Sequence, residues 1–536
     1  MIFSSPQNTS PQTIRRIKKG LKFDFMGQIR RRDFLLDSTL LAGAAALSPA
    51  VWGQSEAASQ RAKLTISGST GRSVPADFIG LSYENMQLED PAFFSPANRG
   101  LIEQFRNLSS RGVLRLGGNT SEFGWWKANA SDPQPERNLV LKDGSRPASY
   151  IFAITPDTIR QLDGFLKATG WSCIYGLNLG YGTPETVLPE ARFVYETLGP
   201  RLQYFQIGNE VDMFNNYRLR EPAEWNVDRY FNEWLTIARA VQRTLPGAKF
   251  GLPDVARDVT WLTRVAELWA TVSDKPNVTT LSHHHYWGGP PSNPQANVQR
   301  LMQPDEAAIM QGAVTRAAAE KMKTAYRMTE GNTVFRGGKS GLSDRFAAAL
   351  WGADYLFQLM AMGYSGVNLH GGSGHAQAVS VGGSFVGEAE MKDPNEPHPK
   401  PFYTPIANEG TLAGSGVDGK LNANYLLEPV GYGMKFASRF VGATLMKVEF
   451  DSGSVNAVAY GARRRDGKQI IAILNKDDLR SVSINLPRSR VIEVLTAPAL
   501  DAKEAQLLTG SAARAQVKRA GQEVLVPKHS ALLLEL

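Results

Sequence analysis

Eight times in the middle of the chain a short apolar run ends on residues that carry chemistry, and helical spacing fills much of the sequence in between. FIGLSYEN closes on Glu84 and Asn85, GVLRLGGNT on Asn119 and Thr120, and LQYFQIGNE on Asn209 and Glu210. VTTLSHHHYW brings His283, His284, His285 and Tyr286, AYRMTEGN runs to Glu330, and GYSGVNLHGG ends near His370. WSCIYGLNL and KFGLPDV complete the set. Between them, PDTIRQLDGFLKATG puts Ile159, Leu162, Phe165 and Leu166 on one stripe, and DRYFNEWLTIARAVQRTLPG does the same with Phe231, Leu235, Ala238 and Val241. RFAAALWGADYLFQLMAMG reads as a buried helix. Repeated strand-then-helix units predict an α/β fold, a (β/α)8 TIM barrel over residues 76–434. The competing open α/β sheet usually announces itself with a glycine-rich phosphate or cofactor loop, and neither GxGxxG nor a Walker A pattern follows any of these strands.

Two segments break the rhythm. Residues 371–420 are rich in Gly, Pro and Ser and form a long insertion after the eighth strand; such loops are often functional, and this one is a candidate to block one end of a cleft. Beyond about residue 435, VEFDSGSVNAVAYGARRRDGKQIIAILNKDD, SVSINLP and EVLVPKHSALLLEL read as short strands divided by turns, the pattern of an antiparallel β-sandwich. KLTISG at 63–68 precedes the first barrel strand and is expected to join that domain, making it discontinuous over 61–75 and 435–536. Arg463, Arg464 and Arg465 read as a solvated hairpin turn.

Charge narrows the functional classes. The chain has 536 residues and a formal charge of +8, but residues 1–54 hold eight Lys and Arg against three Asp, a net +5. That leaves +3 for the rest, too little to argue for nucleic-acid binding. Arg31–Arg32 followed by Phe34 and Leu35, a modest apolar run and small residues at Ser48 and Ala50 resemble a bacterial twin-arginine export signal. The expectation is an exported protein, periplasmic or extracellular, with no membrane span once the signal is removed. One cysteine, Cys173, precludes an intrachain disulfide and reads as a buried small hydrophobe.

In a barrel, the C-terminal strand ends open on the active-site mouth. Glu210 and Glu330 hold such positions on the fourth and seventh strands, which can face one another. Two carboxylates suit cleavage of a glycosidic bond, in which one protonates the departing oxygen and the other supports the oxocarbenium-like carbon. A separation of about 5–5.5 Å gives retention and about 6.5–9.5 Å gives inversion. Tyr286 is a candidate donor to the nucleophile and Asn209 a candidate partner for the sugar 2-hydroxyl. Asp212, two residues after Glu210, reads as a loop or turn residue. Consecutive histidines alternate sides of a strand, so His283–His285 make a poor metal site; one of His284 and His285 is expected to face the pocket, and His285 is counted among the substrate contacts. No cofactor or metal is expected, and the sequence sets no oligomeric state. Trp125, Trp126, Trp287, Phe335 and Tyr403 are candidate sugar platforms.

LSYEN, LRLGGNTSEF, QIGNE, HHHYW and TEGNTVFRGG, in that order, resemble glycoside hydrolase family seventy-nine, which includes β-glucuronidases and heparanase-type enzymes. The resemblance covers about residues 62–536. It implies a retaining, exo-acting β-glucuronidase with Glu210 as acid/base and Glu330 as nucleophile, acting on a glucuronide or oligosaccharide. Glu84, Asn85, Gly118 and Asn119 fall in segments that line the sugar subsite, and Gly337 in the loop whose N–H groups can receive the uronate carboxylate. Two residues depart from the pattern. Val211 stands where the wider clan has proline. Phe335 stands where family glucuronidases commonly carry a tyrosine directed at the carboxylate, and a phenyl ring donates no hydrogen bond; Tyr403 is a candidate replacement donor. The alternatives are a related glycosidase for neutral or 4-O-methylated sugars and a catalytically silent carbohydrate-binding protein.

Overall fold

A computed structural model describes residues 59–136, 140–144, 150, 152–372, 401–408 and 425–536. The expected export signal and most of the 371–420 insertion lie outside the described residues. Eight parallel strands, Ile79–Glu84, Val113–Gly117, Ser172–Leu177, Leu202–Ile207, Phe250–Val255, Val278–Gly288, Ala325–Val334 and Val367–Gly371, close into a barrel, the eighth pairing with the first. They are the eight runs read from the sequence. Because helices cover the outside and side chains fill the inside, the strands are buried on both faces and read as nearly continuous apolar runs.

The helices begin and stop where local chemistry dictates. Pro156–Thr169 starts with the Thr155 side chain accepting from the Thr158 N–H and with proline in its first turn, and it stops at the left-handed Gly170. Its buried stripe of Ile159, Leu162, Phe165 and Leu166 is the one the spacing predicted. Phe165 packs edge-on against Phe94 and Phe105, with Trp171 beyond, which seats the helix on the barrel wall.

The register shifts at several points around the barrel, and two of these shifts bear on the site. Between strands five and six the register skips from Pro253–Ser282 to Val255–His283, leaving Asp254 unpaired with φ 62°. Between strands six and seven it skips from Met328–His283 to Glu330–His284, leaving Thr329 unpaired. Such bulges re-aim side chains.

A curled antiparallel sheet of ten strands, resembling a sandwich, forms the C-terminal part. The strand Gln60–Ser73, which contains KLTISG, lies within it, antiparallel to Thr444–Asp451 and parallel to Val482–Asn485. Residues 464–468 make a hairpin turn between Ala457–Arg463 and Gln469–Asn475. In Gln469–Asn475, Ile471 and Ile473 enter the sheet's own core, whereas Ile470, Ala472 and Leu474 join the cluster that includes the barrel. The buried Lys476–Asp354 ion pair (2.6 Å) and the Phe346 N–H to Ala502 carbonyl bond (2.8 Å) tie the sheet to the last long barrel helix, Phe346–Met362. Among the described residues no helix is long and apolar enough to cross a membrane.

Candidate active site

Strand seven delivers Glu330 into the barrel mouth, where its carboxylate is surrounded by donors. Arg115 Nη1 lies 2.6 Å from Oε2, and the Tyr286 hydroxyl donates to Oε1 at 2.8 Å. His370 Nδ1 is 3.6 Å from Oε2. Burial alone would raise the pKa of Glu330, but the charges of His370, His284 and Arg115 and the Tyr286 bond bring it down to about 2. The expectation for Tyr286 as a donor matches this geometry.

Arg115 is the hub. It is fully buried on strand two, and Nη2 lies 2.5 Å from Asp254 Oδ2 and 2.6 Å from Asn209 Oδ1. A side chain at Gly117 would collide with the guanidinium, so the glycine ending the strand gives Arg115 its space. Asp254, aimed inward by its bulge, also accepts from the Thr329 hydroxyl and faces His284 Nε2 at 3.1 Å. Burial would raise the Asp254 pKa, but His284 and Arg115 drive it well below the usual carboxylate range. Burial likewise opposes a charged His284, yet Asp254 and Glu330 hold it up at about 10. His284 is therefore an imidazolium at neutral pH.

Glu210 follows strand four in a left-handed conformation (φ 47°, ψ 49°), sparsely populated for a residue with a side chain. Its backbone N–H donates to the Asp254 carbonyl at 2.9 Å, which secures that turn. His284 Nδ1 lies 3.2 Å from Oε1, and the Tyr217 hydroxyl donates to Oε2 at 2.6 Å. Glu210, His284 and Glu330 each contribute a polar atom to a group spanning no more than 4.8 Å. The same three groups have the spacing of a cation site, and a cation there would have to displace the proton from His284.

The other predicted residues are placed as follows. Asn209 donates to Asn119 Oδ1 at 3.0 Å. Glu84 accepts from the Thr120 N–H and hydroxyl and lies 3.4 Å from His370, packed under Gly118, whose φ of 72° and lack of Cβ leave room for it. Asn85 donates to the Gly176 carbonyl. Phe335 packs against Gly289 and, edge-on, against Tyr286. Tyr403 is buried beside Tyr286 and His370, with its hydroxyl in bonding range of Tyr286 and the Gly337 N–H. Asp212 accepts from the N–H groups of Ala256, Arg257 and Asp258 at 2.8–3.0 Å, the loop role expected of it. Trp126 packs on Phe193 of a barrel helix.

His285 is a correction. Its ring points outward, Nε2 2.6 Å from Asp305 and Nδ1 2.7 Å from Gln311, and it stacks on Tyr355. The reason is the two-residue period of a strand. Tyr286 faces inward, so His284 does too, and His285 must face the helices. Sequence reasoning also passed over Arg115, Asp254, Tyr217 and Glu122. Glu122 accepts from the Leu179, Gly180 and Asn209 N–H groups and so clamps three loops of the mouth. Arg115 and Asp254 did leave a signal, since a charge inside an apolar strand is buried only with partners.

No family model matches the chain. It is 27% identical over 328 residues to a β-glucuronidase of Aspergillus niger, covering 56% of each protein. It is 26% identical over 303 residues to a β-glucuronidase of Neurospora crassa, covering 49% of this chain and 51% of that one. The chain thus matches about half the length of these curated relatives. Among solved structures it superposes on a 4-O-α-L-rhamnosyl-β-D-glucuronidase from Fusarium oxysporum (TM-score 0.62, 16% identity, 88% of this chain and all of that one). It also superposes on an arabinofuranosidase from Xanthomonas axonopodis (TM-score 0.58, 15% identity, 89% of this chain and all of that one). The fold is the barrel with an attached sheet that these glycosidases share.

Proposed function

We propose that the chain is a glycoside hydrolase, and more narrowly a retaining, exo-acting β-glucuronidase that works by double displacement. The observation that carries this reading is the pair Glu210 and Glu330, with carboxylate oxygens no more than 4.8 Å apart across the mouth. An approach this close of one oxygen from each carboxylate supports the retaining arrangement over the wider inverting one. Glu330, held ionised by Arg115 and Tyr286, attacks the anomeric carbon. Glu210 gives its proton to the departing oxygen, so that an ester to Glu330 forms as the glycosidic bond breaks. Glu210 then takes a proton from water, which displaces Glu330 and frees the sugar.

The glucuronide preference draws on the two fungal relatives. Phe335 itself supports a second reading, a neutral or 4-O-substituted sugar. Aryl β-glucuronides, 4-O-methyl-glucuronides, β-glucosides, β-galactosides and β-xylosides assayed side by side separate these. Turnover of neutral glycosides alone defeats the glucuronidase reading. NMR of the first-formed sugar should show the β-anomer; the α-anomer would defeat retention.

A further inference from the structure

Glu210 presents its two oxygens to different surroundings. Oε1 faces His284 Nδ1, an N–H anchored from behind by Asp254. Oε2 faces away from that wall, and among the described residues its hydrogen-bond partner is Tyr217, at 2.6 Å. With Oε1 held against the barrel wall by His284, Oε2 is the oxygen placed to pass a proton to the leaving group. A glycosidic oxygen bonded to Oε2 sits about 4–5 Å from a hydroxyl bonded to the same atom. Tyr217 is also half-buried rather than enclosed, on the loop that follows the acid/base.

Resting on the hydrolase reading, we propose that Tyr217 contacts the substrate on the leaving-group side, where its hydroxyl steers Glu210 Oε2 and its ring reads the first unit of the aglycone. Burial, and then the negative charge of Glu210, push the phenol well above its ordinary pKa, so Tyr217 acts as a donor and not as a proton source. Four further groups bear on Glu210: His284 from strand six, Glu330 from strand seven, and, behind His284, Asp254 from strand five and Arg115 from strand two. Asp212, on the same loop as Tyr217, is turned toward residues 256–258.

The test compares wild type, Tyr217→Phe and Tyr217→Ala on glycosides with good and poor leaving groups, with thermal unfolding recorded for each. Tyr217→Phe should lose roughly tenfold in kcat/KM on poor leaving groups and under about threefold on activated aryl glycosides. Tyr217→Ala should flatten the discrimination between aglycones. Equal losses on both leaving-group classes, in a variant that unfolds like wild type, overturn the proposal. If Tyr217→Phe does not fold, unchanged aglycone discrimination in Tyr217→Ala overturns it instead. A wild-type chain inactive on every glycoside defeats the hydrolase reading and this proposal together, whereas an active one with equal losses defeats this proposal alone.

Discussion

The ends of barrel strands four and seven each deliver a glutamate to the same mouth, and they do it differently. Glu330 lies inside a strand that continues to Val334, one residue past a bulge, within reach of Arg115, Tyr286 and His370. Glu210 lies beyond its strand, in a left-handed turn, with one oxygen toward His284 and the other toward a half-buried loop tyrosine. The first setting holds a charge in place; the second leaves one oxygen bonded only to a loop side chain among the described residues. Under the proposed function, one residue type would take two tasks from its surroundings, as in other paired-carboxylate sites.

The largest effect should come from erasing one side of this comparison. Glu330→Ala should lower kcat on the order of 10⁵-fold whatever the leaving group, and azide should restore turnover in Glu330→Gly with release of a glycosyl azide. Glu210→Ala should cost on the order of 10²–10⁴-fold on poor leaving groups and far less on activated aryl glycosides. A uniform loss would erase the distinction between the two glutamates. Arg115→Leu removes the buried guanidinium that Asp254 and Glu330 share and should destabilise the fold by about 3–5 kcal/mol in denaturant titrations. His285→Gln should cost about 1–3 kcal/mol of stability with KM unchanged, whereas His284→Gln should impair turnover itself. A KM effect at His285 would contradict the outward orientation of its ring.

Acidity sharpens the comparison further. Glu330 is depressed from 4.5 to about 2, so its stabilising contribution is present above pH 4.5 and lost as pH falls through about 2. His284 is raised from 6.5 to about 10, so its contribution is complete below pH 6.5 and lost as pH rises through about 10. Thermal midpoints followed to pH 10.5 should fall on the alkaline side in wild type and fall less in His284→Gln.

The sites at which sequence reasoning succeeded and failed have a common cause. Strand identity and the residues at strand ends are local properties, and all eight runs, Glu210, Glu330, Tyr286 and Asp212 were legible from them. Strict alternation, carried from Tyr286 back along HHHYW, would also have chosen His284 over His285. Asp254 and Thr329 could not be placed this way, because each is the extra residue of a bulge and the alternation shifts at that point. Tyr217 gave no signal, since nothing in its loop reveals that the chain turns back onto Glu210.

By itself the sequence determined the eightfold strand-and-helix rhythm, the attached sheet and the two glutamates at strand ends, because apolar spacing and turn residues act over a few positions. Only closure of the barrel decided that Arg115 spans Glu330, Asp254 and Asn209, that His284 stands between the two glutamates, and that their oxygens come within 4.8 Å. Those contacts join residues as much as 215 positions apart. Charge pairing and burial, which set protonation, exist only where distant strands meet.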